Sequence, residues 1–396
     1  MKRVYITCVV TAAAAIVAFS FFLSFWNRNN ASKTLTVGFI YEGDESTPYS
    51  YNFALGEAAL QEEYPGQVEI LSRSNVRESE IEGPVRELIS SGCSILFANS
   101  YSDEYSALAA EYPDVEFCQV SYLPEVSTDT PENYHTFKGE AYQGRYVSGV
   151  AAGLKLREMI DNRIISPEEA LVGYIAAFPI DEVISGFTAF YLGVRSVVPE
   201  ATMRVRYTHT WSNYNIEKKC ARELLDEGCI VLSQHSDTIG PAVACEEVSS
   251  QKQVFMVGYN QSMLSVAPTT ALLSTRINWT PYIIGAVGAV LEGKQIEKYV
   301  DGRVHGGHDM SAGFDQDWVQ VLEFNEHVAA NGTQQAVEEV ISSLKKGSIT
   351  VFKGNVVGVN PNDPEDIIDL SEGFEENANS SSPSFHWILQ DWISVE

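Results

Sequence analysis

At 396 residues, 45% hydrophobic and 11% aromatic, the chain exceeds one ordinary hydrophobic core and suits two. Its 53 Asp and Glu against 26 Lys and Arg give a net charge of −27, which argues against nucleic acid or anionic lipid as a partner. The six cysteines form no CxxC and no zinc-type spacing.

Residues 4–26 carry no charge and follow Lys2 and Arg3. As a helix they would extend roughly 34 Å, enough for a bilayer. That is longer than the apolar core of a cleaved signal, about 7–15 residues, and no A-x-A site ends it. We therefore expect residues 1–30 to be an uncleaved membrane anchor, with a cleaved signal as the alternative. The binding domain would then lie on the extracytoplasmic side of the cell membrane.

Beyond a short polar linker, β-branched apolar runs alternate with helical ones. Residues 35–41 (LTVGFIY) read as a strand, 51–64 as a helix, 68–72 as a strand, and 83–91 as a helix stopped by Gly92. Residues 94–99 (SILFAN) are a strand, 104–112 a helix ended at Pro113, and 115–120 a fourth strand. Residues 133–138 read as a crossing between lobes. The helix 141–160 places Gly144, Ser148, Ala151 and Gly153 on roughly one side, suited to close packing on a sheet.

Strands at 171–178, 203–209, 230–234 and 254–259 then alternate with helices at 183–198, 216–227 and 240–250. A strand at 272–277 and a helix at 281–291 return toward the first lobe. Helices near 317–329 and 334–346 and a hairpin at 349–357 follow. Residues 363–382 are acidic and Ser/Asn-rich, expected to be mobile, and the apolar run 385–388 (FHWI) is expected to dock. The expected partition is 31–135 with 278–300 as the N-terminal lobe, and 136–277 with 301–360 as the C-terminal lobe. Residues 361–396 form the acidic segment and tail. The fold class is α/β: two doubly wound parallel-sheet lobes joined by a multi-crossing hinge, with ligand in the cleft between them.

No phosphate-binding loop, dinucleotide fingerprint, zincin motif or nucleophile elbow occurs. His305-Gly-Gly-His308-Asp309 offers metal-ligand types but reads more readily as a glycine-rich surface loop. Gln234-His235-Ser236-Asp237 joins a strand to a helix; capping explains Ser236 and Asp237, yet the turn lies at a strand's carboxyl end. Aromatics recur at such turns: Tyr49, Tyr51, Tyr101, Phe178, Trp211, Tyr259 and Trp279. Any one of them is more often packing than contact. Their repetition suits a flat heterocycle or sugar held between faces. The candidate ligand-binding residues are Asp44, Tyr49, Tyr51, Asn99, Tyr101, Phe178, Trp211, His235, Asp237, Asn260, Asn278 and Trp279. No catalytic residue, metal or cofactor is expected, so the chain is not read as an enzyme.

Several ordered segments carry a family resemblance. They are residues 142–149 (YQGRYVSG), 172–180 (VGYIAAFPI), 186–193 (GFTAFYLG), 208–211 (THTW) and 234–237 (QHSD), with 48–52 (PYSYN) and 278–282 (NWTPY). Over about residues 35–300 the chain resembles the basic membrane protein family of extracytoplasmic solute-binding proteins, close to its Med-like subgroup and related to the purine nucleoside receptor. The resemblance implies a type I periplasmic-binding-protein clamshell that delivers a solute to an ABC transporter permease. It implies a purine stacked between aromatics at Tyr49 and Trp211. The turn that holds ribose through acidic residues in the family is Gly258-Tyr259-Asn260-Gln261-Ser262 here and contains no acid. Asn278 replaces a family lysine. A purine nucleobase is therefore expected to bind at least as tightly as its nucleoside. The alternative function is a membrane-tethered ligand sensor that regulates a partner without transport.

Overall fold

Two seven-stranded sheets, one per lobe, carry most of the chain in the computed structural model, which describes residues 34–122 and 130–396. The expected anchor lies outside the described residues. Among those described, no helix is long and apolar enough to cross a membrane.

The first lobe begins with β1 (Leu35–Ile40), α1 (Pro48–Glu63), β2 (Val68–Arg73), α2 (Glu82–Ser90), β3 (Cys93–Ala98), α3 (Asp103–Glu111) and β4 (Glu116–Val120). β5 (Tyr134–Gly139) pairs in parallel with β4. α4 (Ala141–Asp161) opens the second lobe. There β6 (Leu171–Ala176), α5 (Asp181–Val197), β7 (Thr202–Tyr207), α6 (Tyr214–Asp226) and β8 (Val231–Gln234) follow one another, then α7 (Gly240–Val248), β9 (Phe255–Tyr259) and β10 (Ala271–Ile277). α8 (Thr280–Glu292) and the short α9 (Ile296–Tyr299) return to the first lobe. Trp279, Tyr282 and Ile283 pack there against Phe39, Phe53 and Phe97. β11 (Arg303–Gly306) and β12 (Asp309–Ala312) extend the first sheet, whose order is β11-β12-β5-β4-β3-β1-β2. β13 (Val319–Phe324), α10 (Thr333–Lys345), the hairpin of β14 (Val357–Asn360) and β15 (Asp363–Asp369), and β16 (Ile393–Val395) complete the chain. The second sheet runs β13-β10-β9-β8-β6-β7-β16, with only β13 antiparallel to its neighbour.

Several expectations change. Residues 133–138 supply a strand of the first sheet rather than a crossing, so that lobe extends past residue 135. β11 and β12 likewise place residues 303–312 in the first lobe, not the second. The expected helix at 317–329 gives way to the strand β13 at residues 319–324, because this segment finds β10 as an antiparallel partner. The hairpin forms at β14 and β15, beyond 349–357. The acidic segment is ordered: Glu376, Asn377, Ser380, Ser381 and Ser382 are buried. Its polar side chains find partners that composition does not reveal. Ser381 N donates to Asp309 Oδ2 (2.7 Å), and Glu376 Oε1 accepts from Ser185 (3.1 Å) and Ser384 N (2.7 Å). These bonds tie the segment to both lobes.

The small-residue face of α4 divides between two neighbours. Gly144 lies on the sheet at Thr275 and Val319, whereas Gly149 and Gly153 lie against α5. A Cβ on Gly149 would fall 2.0 Å from Phe190 O, and one on Gly193 2.2 Å from Tyr146 O, so the two helix backbones touch. Five described cysteines, Cys93, Cys118, Cys220, Cys229 and Cys245, are buried and free.

Candidate functional site

Doubly wound sheets open a crevice where strand order reverses, outside the carboxyl ends of the strands. Those points lie between β1 and β3 in one lobe and between β6 and β8 in the other. Both face one cavity of about 270 Å³. From the first lobe, Tyr49 and Ser50 enter from the first turn of α1, which Pro48 starts. Asn99, Ser100 and Tyr101 follow β3, and Lys138 enters near the end of β5. From the second lobe, Glu182 enters from the first turn of α5, Trp211 from after β7, His235 and Asp237 from after β8, and Tyr259 and Asn260 from the end of β9.

The first lobe's wall is held by hydrogen bonds across its switch point. Asn99 Oδ1 accepts from Glu42 N (2.8 Å), and the Tyr49 hydroxyl donates to Asn99 O (2.8 Å). Tyr49 meets Trp279 edge-on at 5.9 Å, and Phe178 backs Trp211 at 5.3 Å. Tyr101 and Tyr122 pair at 5.3 Å. Polar contacts join the lobes across the cleft. Asn52 Nδ2 on α1 donates to Asn260 O (2.7 Å), and Lys138 Nζ pairs with Glu182 Oε2 (2.7 Å).

Charge is distributed unevenly. Among the lining residues, Glu42, Glu78, Glu182 and Asp237 face the lone ammonium of Lys138. Burial would raise Glu182, but Lys138 and His235 together outweigh it and hold the carboxylate well below its usual range. Burial, then the Arg145 charge, lowers His235 to about 4, so it is neutral at pH 7. Its Nε2 lies 3.9 Å from Glu182, beyond hydrogen-bonding reach. Desolvation raises Asp237 to about 7, which leaves much of it protonated and able to donate as well as accept. Asn260 Nδ2 meets Asp237 Oδ1 at 3.3 Å. Together they present a donor–acceptor edge.

Of the expected residues, Tyr49, Asn99, Tyr101, Trp211, His235, Asp237 and Asn260 line the cavity. Asp44 does not: it faces solvent and accepts from Ser46 N (2.9 Å), fixing its own turn. Tyr51 is 48% exposed, two positions along the helix from Tyr49 and so turned away from it. Phe178 and Trp279 act behind the lining aromatics. Asn278 lies at the crossing, where its Nδ2 donates to Asp317 O (2.8 Å).

Sequence reasoning missed Glu182, Lys138 and the buried Arg145. The Arg145 guanidinium lies 3.3 Å from the Tyr259 ring centre and donates to Gln234 O (2.6 Å). A lysine closing a strand-like run (YHTFKG) and an arginine among small and apolar helical residues were the available signals.

A family profile described as ABC transporter substrate-binding protein, PnrA-like, matches residues 35–351. A purine-binding protein of Brucella abortus is 26% identical over 333 residues, covering 83% of this chain and 85% of that protein. A putative ABC transporter glucose-binding protein of Haloferax volcanii is 31% identical over 236 residues, 59% of this chain and 53% of that protein. Among solved structures, a solute-binding protein from Aeropyrum pernix K1 superposes with a TM-score of 0.64 at 16% identity, covering 84% of this chain and 95% of that one. A transcriptional activator of the comK gene from Bacillus halodurans gives 0.61 at 20% identity, covering 79% and 99%. These two bear on the fold, which is the two-lobed solute-binding architecture described above. Substrate-binding proteins of this kind hold a solute without transforming it. The chain belongs to the PnrA-like family of ABC transporter substrate-binding proteins.

Proposed function

We propose that the chain closes its lobes on a small, flat, uncharged purine-like heterocycle and presents it to an ABC permease. One observation carries this reading: Tyr49 and Trp211, from opposite lobes, line a single small cavity. Stacking between them would be independent of base identity, and Asp237 with Asn260 would read the heterocycle's edge. The purine-binding protein of Brucella abortus supports the ligand class. The excess of carboxyl groups over cations disfavours anionic solutes.

The turn after β9 supplies amides and hydroxyls where charge-assisted bonds to a ribose diol would need carboxylates, bonds worth roughly 1.5–3 kcal/mol each. Glu42 and Glu78 enter from the first lobe, not from this turn, and desolvation raises both. A purine base therefore binds at least as tightly as its nucleoside. The test is mass spectrometry of solute carried through purification. It is followed by calorimetry with adenine, guanine, hypoxanthine, their nucleosides and glucose. A nucleoside bound more than about tenfold tighter than its base defeats the base preference. If none of the six purines binds, the purine assignment falls and family membership stands.

Residues 1–30 would tether the receptor outside the cell membrane. Full-length protein should then fractionate with membranes; mature protein starting near residues 27–32 would show a cleaved signal instead. Loss of heterocycle uptake on deletion would favour import, and retained uptake would favour the sensor.

A further inference from the structure

At the opposite end of the first sheet from the cleft, two histidines converge on one carboxylate. His135, near the start of β5, is 3% exposed. Its Nδ1 lies 2.5 Å from Glu297 Oε1, on α9. His308, in the turn between β11 and β12, brings its Nδ1 to 3.2 Å from the same oxygen. That nitrogen is buried and makes no hydrogen bond of proper geometry. One donor atom from each residue falls within 4.8 Å of the others. The sequence motif around His308 does not gather on itself: His305 bonds Ser311 (2.8 Å), and Asp309 accepts from Thr136 and Ser381.

The outward nitrogens repeat the pattern. His135 Nε2 meets Glu116 Oε2 on β4 at 2.9 Å, and His308 Nε2 faces Glu132 Oε2 at 3.5 Å. Both imidazoles thus turn Nδ1 inward and Nε2 toward a carboxylate, the arrangement that fixes tautomer and ring orientation in metal-ligating histidines. The Thr136 N to His308 O bond (3.0 Å) pins the turn to β5. His135 and Lys138 lie on opposite faces of β5, so the cluster is separate from the ligand cavity.

We propose that His135 Nδ1, His308 Nδ1 and Glu297 Oε1 bind a zinc ion, with Glu116 and Glu132 positioning the imidazoles. Two imidazoles and a carboxylate are a zinc-type donor set; calcium and magnesium require oxygen. Zinc–ligand bonds of about 2.0–2.2 Å place tetrahedral donors about 3.3 Å apart. His308 and Glu297 already match that spacing, and Glu297 moves less than about 1 Å from His135 to match it too. A fourth position stays open to water, reached past the 97% exposed Glu132. The ion would clamp β5, α9 and the β11–β12 turn together.

The test uses the full chain, stripped with chelator and titrated with zinc chloride by calorimetry without any purine. Cobalt(II) serves as the spectroscopic probe. One zinc per chain is expected, with the visible absorption of a low-coordinate site on cobalt loading. His308→Ala should lower zinc affinity by at least about 100-fold, and Glu116→Gln by about 10–100-fold. Both should bind purines as the parent does. Absence of stoichiometric zinc binding at micromolar concentration overturns the site. So does equal affinity of parent and His308→Ala, which would leave Glu116 and Glu297 as simple ion-pair partners of His135.

Discussion

Lys138→Met isolates an ion pair that crosses the cleft. Lys138 is 5% exposed and Glu182 20%, so solvent screens the pair little. Removing one partner of such a pair costs about 3–5 kcal/mol when the other charge must stay. Glu182 has an escape, because it can take up a proton. From the usual carboxyl value of 4.5, protonation at pH 7 costs about 3 kcal/mol, which caps the loss. The sign follows from the two states. In the parent, Glu182 is held low, so its pairing is present above the ordinary carboxylate range and lost only in strong acid. In the variant the neutral form is favoured, and the deficit shrinks as pH falls, to about 1 kcal/mol at pH 5. Lys138→Met/Glu182→Gln removes both charges and should recover most of the loss, a coupling of about 2–3 kcal/mol. Urea unfolding of the four proteins at pH 7 and pH 5 measures it. Single losses that add to within about 0.5 kcal/mol would refute the reasoning. So would a Lys138→Met deficit that is the same at both pH values.

Trp211→Ala and Tyr49→Ala should each weaken heterocycle binding by about 1–3 kcal/mol with little change in folding; unchanged affinity by calorimetry would place the stack elsewhere. Burial raises Glu376 to about 7, while backbone bonds from Ser384 and Phe385 only partly offset it. Between pH 4.5 and about 7 the folded chain keeps a proton that the unfolded chain has released, so stability should fall across that window by up to ~3 kcal/mol. Glu376→Gln should flatten that slope in unfolding titrations. Gly149→Ala should destabilise by about 1–3 kcal/mol, since its Cβ meets backbone on α5. Gly83→Ala, in open space on α2, should be neutral or mildly stabilising by the same assay.

The repeated strand-to-helix pattern was legible because several buried parallel strands are continuous apolar runs, as in LVGYIA of β6. Position at strand ends followed from that, and it brought out Tyr49, Trp211 and Asp237. Which of two nearby aromatics faces inward was not legible. Tyr49 and Tyr51 differ only by a rotation about α1, and that rotation is set by packing on Trp279. Lys138 was hidden because a strand of mixed polarity (YHTFKG) resembles a connector until β4 and β12 are seen on either side. β13 was misread because an edge strand with one exposed face can mimic an amphipathic helix over six residues. The tail was misread because Ser381 bonds Asp309 and Glu376 accepts from Ser185, partners far away in sequence.

β16 gives the second lobe a late step in its assembly. The first sheet has all its strands once Ala312 has been synthesised, but the second needs Val395, 83 positions further on. At about 5–20 residues per second that interval is roughly 4–16 s. Throughout it β7 keeps an unpaired edge, the kind of edge that recruits foreign strands. A holdase that covers β7 would protect this chain most during those seconds. A variant cut before Ile393 would carry the same open edge permanently, so aggregation would set in before any loss of solute binding was measured.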